Sequence, residues 1–246
     1  LSVEEAGRPA NLGLRQQRNV QAAGGVSWVA TPGLRVSAEA FVKEYDRVPL
    51  LRDDPRIALS NLGGDYGFVG AEPLTDEGTG RARGMELLVQ QKLLQKVYLL
   101  GAYTLSWSEF AGLDGVLRAS AWDRRHAMDL TAGLRPSGSW EFGTKLRWLS
   151  GLATTPWDVE ASAASYAITG RGTPDWSRIG EIRTPSYVRL DVRAERRLSY
   201  SGWNGVVYLD VQNVLNRKNA VGFAYTENPI YPNRIMPIDG SGLLPT

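Results

Sequence analysis

The sequence predicts an all-β protein, an antiparallel transmembrane β-barrel meander of about eight or nine strands. Three observations carry that reading. Eight segments alternate apolar and polar residues with period two. The connections between them alternate strictly between short and long. The 8 Trp, 10 Tyr and 5 Phe gather largely at the segment ends and in the long connections. No stretch approaches the roughly 18 apolar residues of a membrane-spanning helix, but barrel strands are only half apolar and escape that test.

Composition removes several classes of function. Lys+Arg 28 against Asp+Glu 26 gives a net charge of +2, too little to argue for a nucleic-acid partner. Cys is absent and His occurs once, so disulfide frameworks, thiolate or multi-histidine metal sites and cysteine catalysis are excluded, and no cofactor is expected. With 43% hydrophobic and 22% charged residues the chain is not of disordered composition.

The elements follow in order. Val20, Ala22, Val26 and Trp28 oppose Asn19, Gln21 and Ser27, and Thr31-Pro32-Gly33 turns the chain. Leu34, Val36, Ala38, Ala40 and Val42 then oppose Arg35, Ser37, Glu39 and Phe41, which completes a hairpin. Met85, Leu87 and Val89 oppose Glu86, Gln90 and Lys92; beyond a turn near Leu94-Gln95, Val97, Leu99, Tyr103, Leu105 and Trp107 oppose Thr104, Ser106 and Ser108. Met128, Leu130, Ala132 and Leu134 oppose Asp129, Thr131 and Arg135. After Pro136-Ser137-Gly138-Ser139, Trp140, Phe142, Leu146 and Trp148 face away from Glu141, Lys145 and Arg147. The last pair sets Val188, Leu190, Val192 and Ala194, then Val207, Leu209 and Val211, against Arg189, Asp191, Arg193, Glu195, Tyr208, Asp210 and Gln212. A ninth strand is expected over Ala220–Thr226.

Short turns fall at 31–33, 93–96, 136–139 and 199–203, and long loops at 46–80, 110–121, 152–184 and from 216 onward. Outer-membrane barrels place short turns on the periplasmic side and long loops outside. The segments run roughly 10 to 14 residues, where about 9–11 cross a bilayer when tilted. Trp28, Trp140, Phe142, Tyr200 and Trp203 lie beside the short turns; Tyr45, Trp107, Phe110, Trp122 and Trp148 lie beside the long loops. These are two interfacial girdles.

Ordered blocks of residues carry a family resemblance. Pro185-Ser186-Tyr187-Val188-Arg189-Leu190-Asp191-Val192-Arg193 and Tyr208-Leu209-Asp210-Val211-Gln212-Asn213-Val214-Leu215-Asn216-Arg217 resemble the C-terminal barrel of TonB-dependent outer-membrane receptors. Gly84-Met85-Glu86-Leu87-Leu88, Tyr103-Thr104-Leu105-Ser106, Asp123-Arg124-Arg125-His126 and Leu149-Ser150-Gly151 followed by Thr155-Pro156 add to it, in order, across nearly the whole chain. The resemblance implies a partial barrel of a 22-stranded receptor, residues 1–246 being a C-terminal portion without plug or last strand. The chain ends fit: Leu1-Ser2-Val3-Glu4-Glu5 has no initiator Met or leader, and Gly242 to Thr246 reads as a loop entering a strand. It further implies outer-membrane lipid, the barrel assembly machinery and, through the absent plug, TonB as partners. The parent would import a scarce nutrient such as a siderophore, metal chelate or carbohydrate across a Gram-negative outer membrane. The alternatives are a small closed porin-like barrel, which needs its first and last strands to pair, and an outer-membrane enzyme.

Candidate site residues follow from this placement. Glu86, Asp129, Glu141, Lys145, Arg147, Arg189, Asp191, Arg193, Glu195 and Asp210 are expected to face the lumen, paired across strands or docking the plug. Ligand contact is expected from the extracellular-loop aromatics Tyr66, Phe68, Trp157, Tyr166, Trp176, Tyr225 and Tyr231, which would stack on a ligand or pack the loops together. His126 with Asp123 and a serine could form a triad, but no serine motif supports one, so a solvated strand start at the rim is the preferred reading and no catalytic residue is assigned. Asp53-Asp54 with Asp65 lacks the ligand spacing of a calcium loop, and Gly78-Thr79-Gly80 is too short for a phosphate cradle.

Overall fold

The computed structural model describes residues 11–62, 72–94 and 96–240. In chain order, β1 (Arg18–Thr31), β2 (Leu34–Leu51), β3 (Leu74–Leu94) and β4 (Val97–Ala111) are followed by the two-residue β5 (Arg118–Ala119), then β6 (His126–Leu134) and β7 (Trp140–Leu149). The next loop carries the short strands β8 (Ala153–Thr154), β9 (Trp157–Asp158), β10 (Thr173–Pro174) and β11 (Ile182–Arg183). The chain returns through β12 (Tyr187–Tyr200) and β13 (Trp203–Val211) and closes on the hairpin of β14 (Ala220–Tyr225) and β15 (Ile235–Asp239). One helical turn, α1 (Leu59–Leu62), and one real helix, α2 (Val159–Thr169), interrupt the β structure.

The eight predicted strands are present and pair in sequence order, β1-β2-β3-β4-β6-β7-β12-β13, every neighbour antiparallel, with β5 added to the end of β4. Their lengths run from 9 to 21 residues, because β2 and β3 extend into the predicted 46–80 loop. The turns are tight where expected. Gly202 takes φ 93°, the left-handed region, in the two-residue turn between β12 and β13.

Register explains why the alternation matters. Trp28, Val36, Val89, Gly101, Leu130, Leu146 and Leu190 stand side by side across seven strands, one residue from the row Ser27, Ser37, Leu88, Ala102, Asp129, Arg147 and Arg189 on the other face. A slip by one residue would exchange the faces. On β4 the apolar row runs from Val97 to Trp107. At about 3.4 Å per residue and a tilt near 40°, it is roughly 26 Å tall, close to the about 25 Å apolar band of outer-membrane barrels. The band is bare: Val26 is 74% and Leu209 67% exposed. A continuous apolar surface of this extent needs lipid or a partner.

The polar face uses a different device. Phe41 lies over Gly84, Phe110 over Gly80 and Tyr98 over Gly133, each pair directly opposed in register. A Cβ at any of the three glycines would run into the opposing ring. Cross-strand aromatics laid over glycine cover backbone that glycine leaves open. A buried hydrophobic cluster sits at the long-loop rim, where Val48, Leu50, Ala58 and Phe110 pack with Tyr45.

Among the described residues β1 and β13 do not pair, so the eight strands form an open wall, as the partial-barrel reading expects and the small closed-barrel alternative does not. One expectation needs correction. The expected ninth strand exists as β14, but it pairs with β15 in a separate two-stranded sheet instead of extending the wall.

Candidate functional site

All ten charged residues expected to face inward lie on the polar face; eight of them form ion pairs, some across neighbouring strands and some along β12. Near the short turns, Glu141 accepts from Arg135 at 2.6 Å and Arg197 at 2.9 Å; Glu195 accepts from Arg193 at 2.9 Å and Arg197 at 3.2 Å; Arg193 reaches Asp210 at 3.8 Å. The Arg193 guanidinium also covers the Tyr208 ring at 3.9 Å. Higher on the wall, Arg147 pairs with Asp129 and Arg189 with Asp191, both at 2.7 Å. Exposed pairs contribute about 0–1 kcal/mol each, so they serve mainly to keep the wall polar and its side chains placed.

Three like-charged pairs stand directly opposed in register: Glu39 and Glu86 across β2 and β3, and both Arg147–Arg189 and Glu141–Glu195 across β7 and β12, the last pair bridged by Arg197. Like charges directly opposite are destabilising. Neither Glu39 nor Glu86 takes a hydrogen bond or ion pair among the described residues. They line an open groove of about 460 Å³ with Ser27, Arg35, Ser37 and Thr104, where Arg35 is held by Ser27 at 2.8 Å. Glu39 was visible in the alternation, but only the β2–β3 register brings it to Glu86.

The long-loop rim is tied by Asp123, which is buried. Its carboxylate accepts from the Ser108 amide at 2.9 Å and Arg183 Nη2 at 2.8 Å, with Arg125 at 3.6 Å. Arg183 Nη1 also donates to the carbonyls of Asp123 and Gly151. Buried Asn61 donates to the carbonyls of Arg118 and Ala119, and buried Ser120 to Ser108. His126 takes no part in this cluster. Its Nδ1 meets the Tyr103 hydroxyl at 2.7 Å and its ring stacks between Tyr103 and Trp148, on the apolar face. Among the described residues no triad forms around His126; its ring and those of Tyr103 and Trp148 share the apolar face, whereas Tyr45 and Phe110, expected in the same girdle as Trp148, pack instead in the buried rim cluster.

The other sequence candidates resolve similarly. Asp54 is gripped by Arg56 through Nε at 2.8 Å and Nη2 at 2.6 Å, which holds its carboxyl below the usual range. Arg118 does the same to Asp114. Among the described residues no three metal-ligating side chains converge; Asp65 lies outside them. Gly78 and Gly80 are strand residues of β3, Gly80 filled by the Phe110 ring.

Of the loop aromatics, the structure brings three together. Trp157 Nε1 donates to the Phe223 carbonyl at 3.2 Å, Tyr166 of α2 meets Tyr225 edge-on at 5.3 Å, and Gly172 sits against both Trp157 and Tyr225. This joins the 152–184 loop to the β14–β15 hairpin. Tyr225 is 4% exposed; its hydroxyl donates to Glu227, which also pairs with Arg234, and burial pushes that hydroxyl's pKa up. Trp176, in the 3-10 turn Trp176–Arg178, and Tyr231, just before the turn Pro232–Arg234, stay half-buried and apart from the cluster. Tyr66 and Phe68 lie outside the described residues.

No family model matches the sequence, and no curated protein sequence matches it. Solved structures match its fold. The ferric-catecholate import receptor Fiu of E. coli K12, in its closed form, superposes with a TM-score of 0.61 at 15% identity, over 94% of this chain and 27% of that one. The FrpB iron transporter of Neisseria meningitidis gives 0.58 at 14%, over 94% and 30%. The ferripyoverdine receptor of the Pseudomonas aeruginosa outer membrane gives 0.57 at 13%, over 92% and 26%. The chain thus spans between a quarter and a third of the length of these structures. Its fold is that of a stretch of receptor barrel wall, the architecture that the sequence resemblance to TonB-dependent receptors implied.

Proposed function

We propose that residues 1–246 form the C-terminal portion of the barrel domain of a Gram-negative outer-membrane receptor. The parent protein binds a scarce nutrient at the cell surface and imports it, driven by TonB acting on a plug inside the barrel. Ferric siderophore complexes are the favoured nutrient, by analogy with the iron and siderophore receptors of the same fold. Outer-membrane lipid covers the apolar band, and the barrel assembly machinery inserts it.

The observation that carries this reading is the polar face, above all the Glu39–Glu86 opposition. Two carboxylates held together without a cation suit a lumen occupied by a protein segment that brings the cation with it. At the outer rim, Trp157, Tyr166, Trp176 and Tyr231 are half-exposed rings that we propose meet the ligand, and Tyr66 and Phe68, outside the described residues, are proposed from the sequence alone; buried Tyr225 positions Tyr166.

The test is uptake in cells with and without the gene, supplied with radioactive ferric catecholate, a corrinoid or an oligosaccharide. Deletion is expected to remove TonB-dependent uptake of the ferric catecholate. Loss of corrinoid or sugar uptake alone would keep import and overturn iron as the cargo. Unchanged uptake of all three would overturn the import reading.

A further inference from the structure

We propose that the polar wall carries a binding site for a phosphate-sized, multiply charged oxyanion, formed by Lys145, Arg147, Tyr187 and Arg189. These residues and Asp191 line a cavity of about 100 Å³. A water needs roughly 10–15 Å³ of such space, so the cavity holds several waters or one small oxyanion.

The geometry explains why the space is open. Arg147 and Arg189 are directly opposed in register, and each is drawn away from the other. Asp129 holds Arg147 Nε at 2.7 Å on one side. Asp191 holds Arg189 Nε at 2.7 Å, and Gln212 takes its Nη2 at 2.7 Å on the other. Asp191 is itself occupied, since it also accepts from the Asn213 amide at 2.8 Å. Lys145 lies opposite Asp191 in register, yet no hydrogen bond or ion pair engages its ammonium among the described residues. Each arginine thus has one carboxylate, Asp129 for Arg147 and Asp191 for Arg189, and the Lys145 ammonium leaves the cavity with a surplus positive charge. An anion between the guanidinium groups would turn a like-charge opposition into two charge-assisted contacts. The Tyr187 ring edges the same cavity and offers a hydroxyl donor. The Arg135–Glu141–Arg197–Glu195 chain lower on the wall has no such surplus, because its cations and carboxylates alternate. The proposal needs this face to be wet and does not depend on the cargo of the parent protein.

The test is titration of the complete parent protein, purified in detergent, with inorganic phosphate, followed by phosphorus NMR line broadening. Saturable binding is expected, weakened about tenfold or more by Lys145→Gln, which is an exposed position and leaves the fold intact. Tyr187→Phe is expected to weaken it less, and Arg197→Gln in the paired network to leave it unchanged. Affinity is expected to fall steeply with salt. Absence of saturable binding overturns the proposal. So does Arg197→Gln weakening it as much as Lys145→Gln, which would signal a diffuse field, or acetate displacing phosphate at equal concentration, which would signal a simple carboxylate site.

Discussion

Replacing Asp123 by Ala tests whether the rim is held by one buried carboxylate. The Asp123 side chain is 0% exposed, whereas that of Arg183 is 34% exposed. Removing the carboxylate leaves the Ser108 amide without its 2.9 Å acceptor and Arg183 Nη2 without its 2.8 Å partner. A buried donor left unpaired costs about 1–3 kcal/mol. The Arg183 contribution must be discounted, because a guanidinium one-third exposed turns to water and keeps its bonds to the carbonyls of residues 123 and 151. The sum is about 2–3 kcal/mol, confined to the rim. At about 1.4 kcal/mol per factor of ten, local opening becomes roughly 30- to 150-fold more frequent. Amide hydrogen exchange in lipid reads this directly: Ser108, Ser120 and Ala153 should speed up, while Leu130 and Leu146 in mid-wall should not. Asp123→Asn keeps an acceptor and should give a smaller acceleration. Rates at the three rim amides unchanged within a factor of about three would refute the argument that Asp123 organises the rim.

Further perturbations separate the faces, the packing and the loops. Leu130→Arg, in mid-band, should cost about 2–4 kcal/mol in unfolding from phospholipid vesicles, whereas Thr104→Arg on the opposite face, directly across from Glu86, should be near neutral; equal costs would contradict the assigned faces. Gly133→Ala drives a methyl into the Tyr98 ring and should cost about 1–3 kcal/mol, and the double variant with Tyr98→Ala should recover most of it. Asp54 and Asp114 have carboxyl pKa values lowered by Arg56 and Arg118, so their stabilisation is complete above the unfolded carboxylate value of about 3.9 and is lost as pH falls through the lower folded values. Cleavage at 52–58 and 112–118 by an acid-active protease should therefore rise only below about pH 4, and Arg56→Ala should remove that step for the first loop.

The wall was legible because a half-buried strand writes its environment on every second residue. Leu130 beside Asp129 and Leu146 beside Lys145 suffice to orient two strands without knowing their partners. What depends on register was not legible. His126 and Asp123 are near in sequence, but the pairing of Leu105 with His126 sends the imidazole to Tyr103 and Trp148 on the apolar face. The Glu39–Glu86 and Arg147–Arg189 oppositions are equally invisible until strands are aligned. Helix α2 had a usable signal that period-two reading passed over: Asp158 caps it by accepting from Ala161, an alanine-rich run follows, and Gly170 ends it at φ 64°. β15 hid because Pro237 lies inside it, tolerable only on an edge strand, which is where it sits. The joining of Trp157 to Phe223 and Tyr166 to Tyr225 spans about 60 residues and leaves no local trace.

The rings laid over glycines set the relief of the polar face. Phe41, Tyr98 and Phe110 fall at three different heights of the wall, and each rests on bare backbone instead of standing upright. Bulky residues thus add little relief to the inner surface. Phe41 and Tyr98 lie as half-buried flat rings between charged bands, while Phe110 is covered at the rim. Substituting any one of the three glycines would lift a ring off the sheet as well as strain it, so the smoothness of the polar face and the integrity of the wall rest on the same three positions.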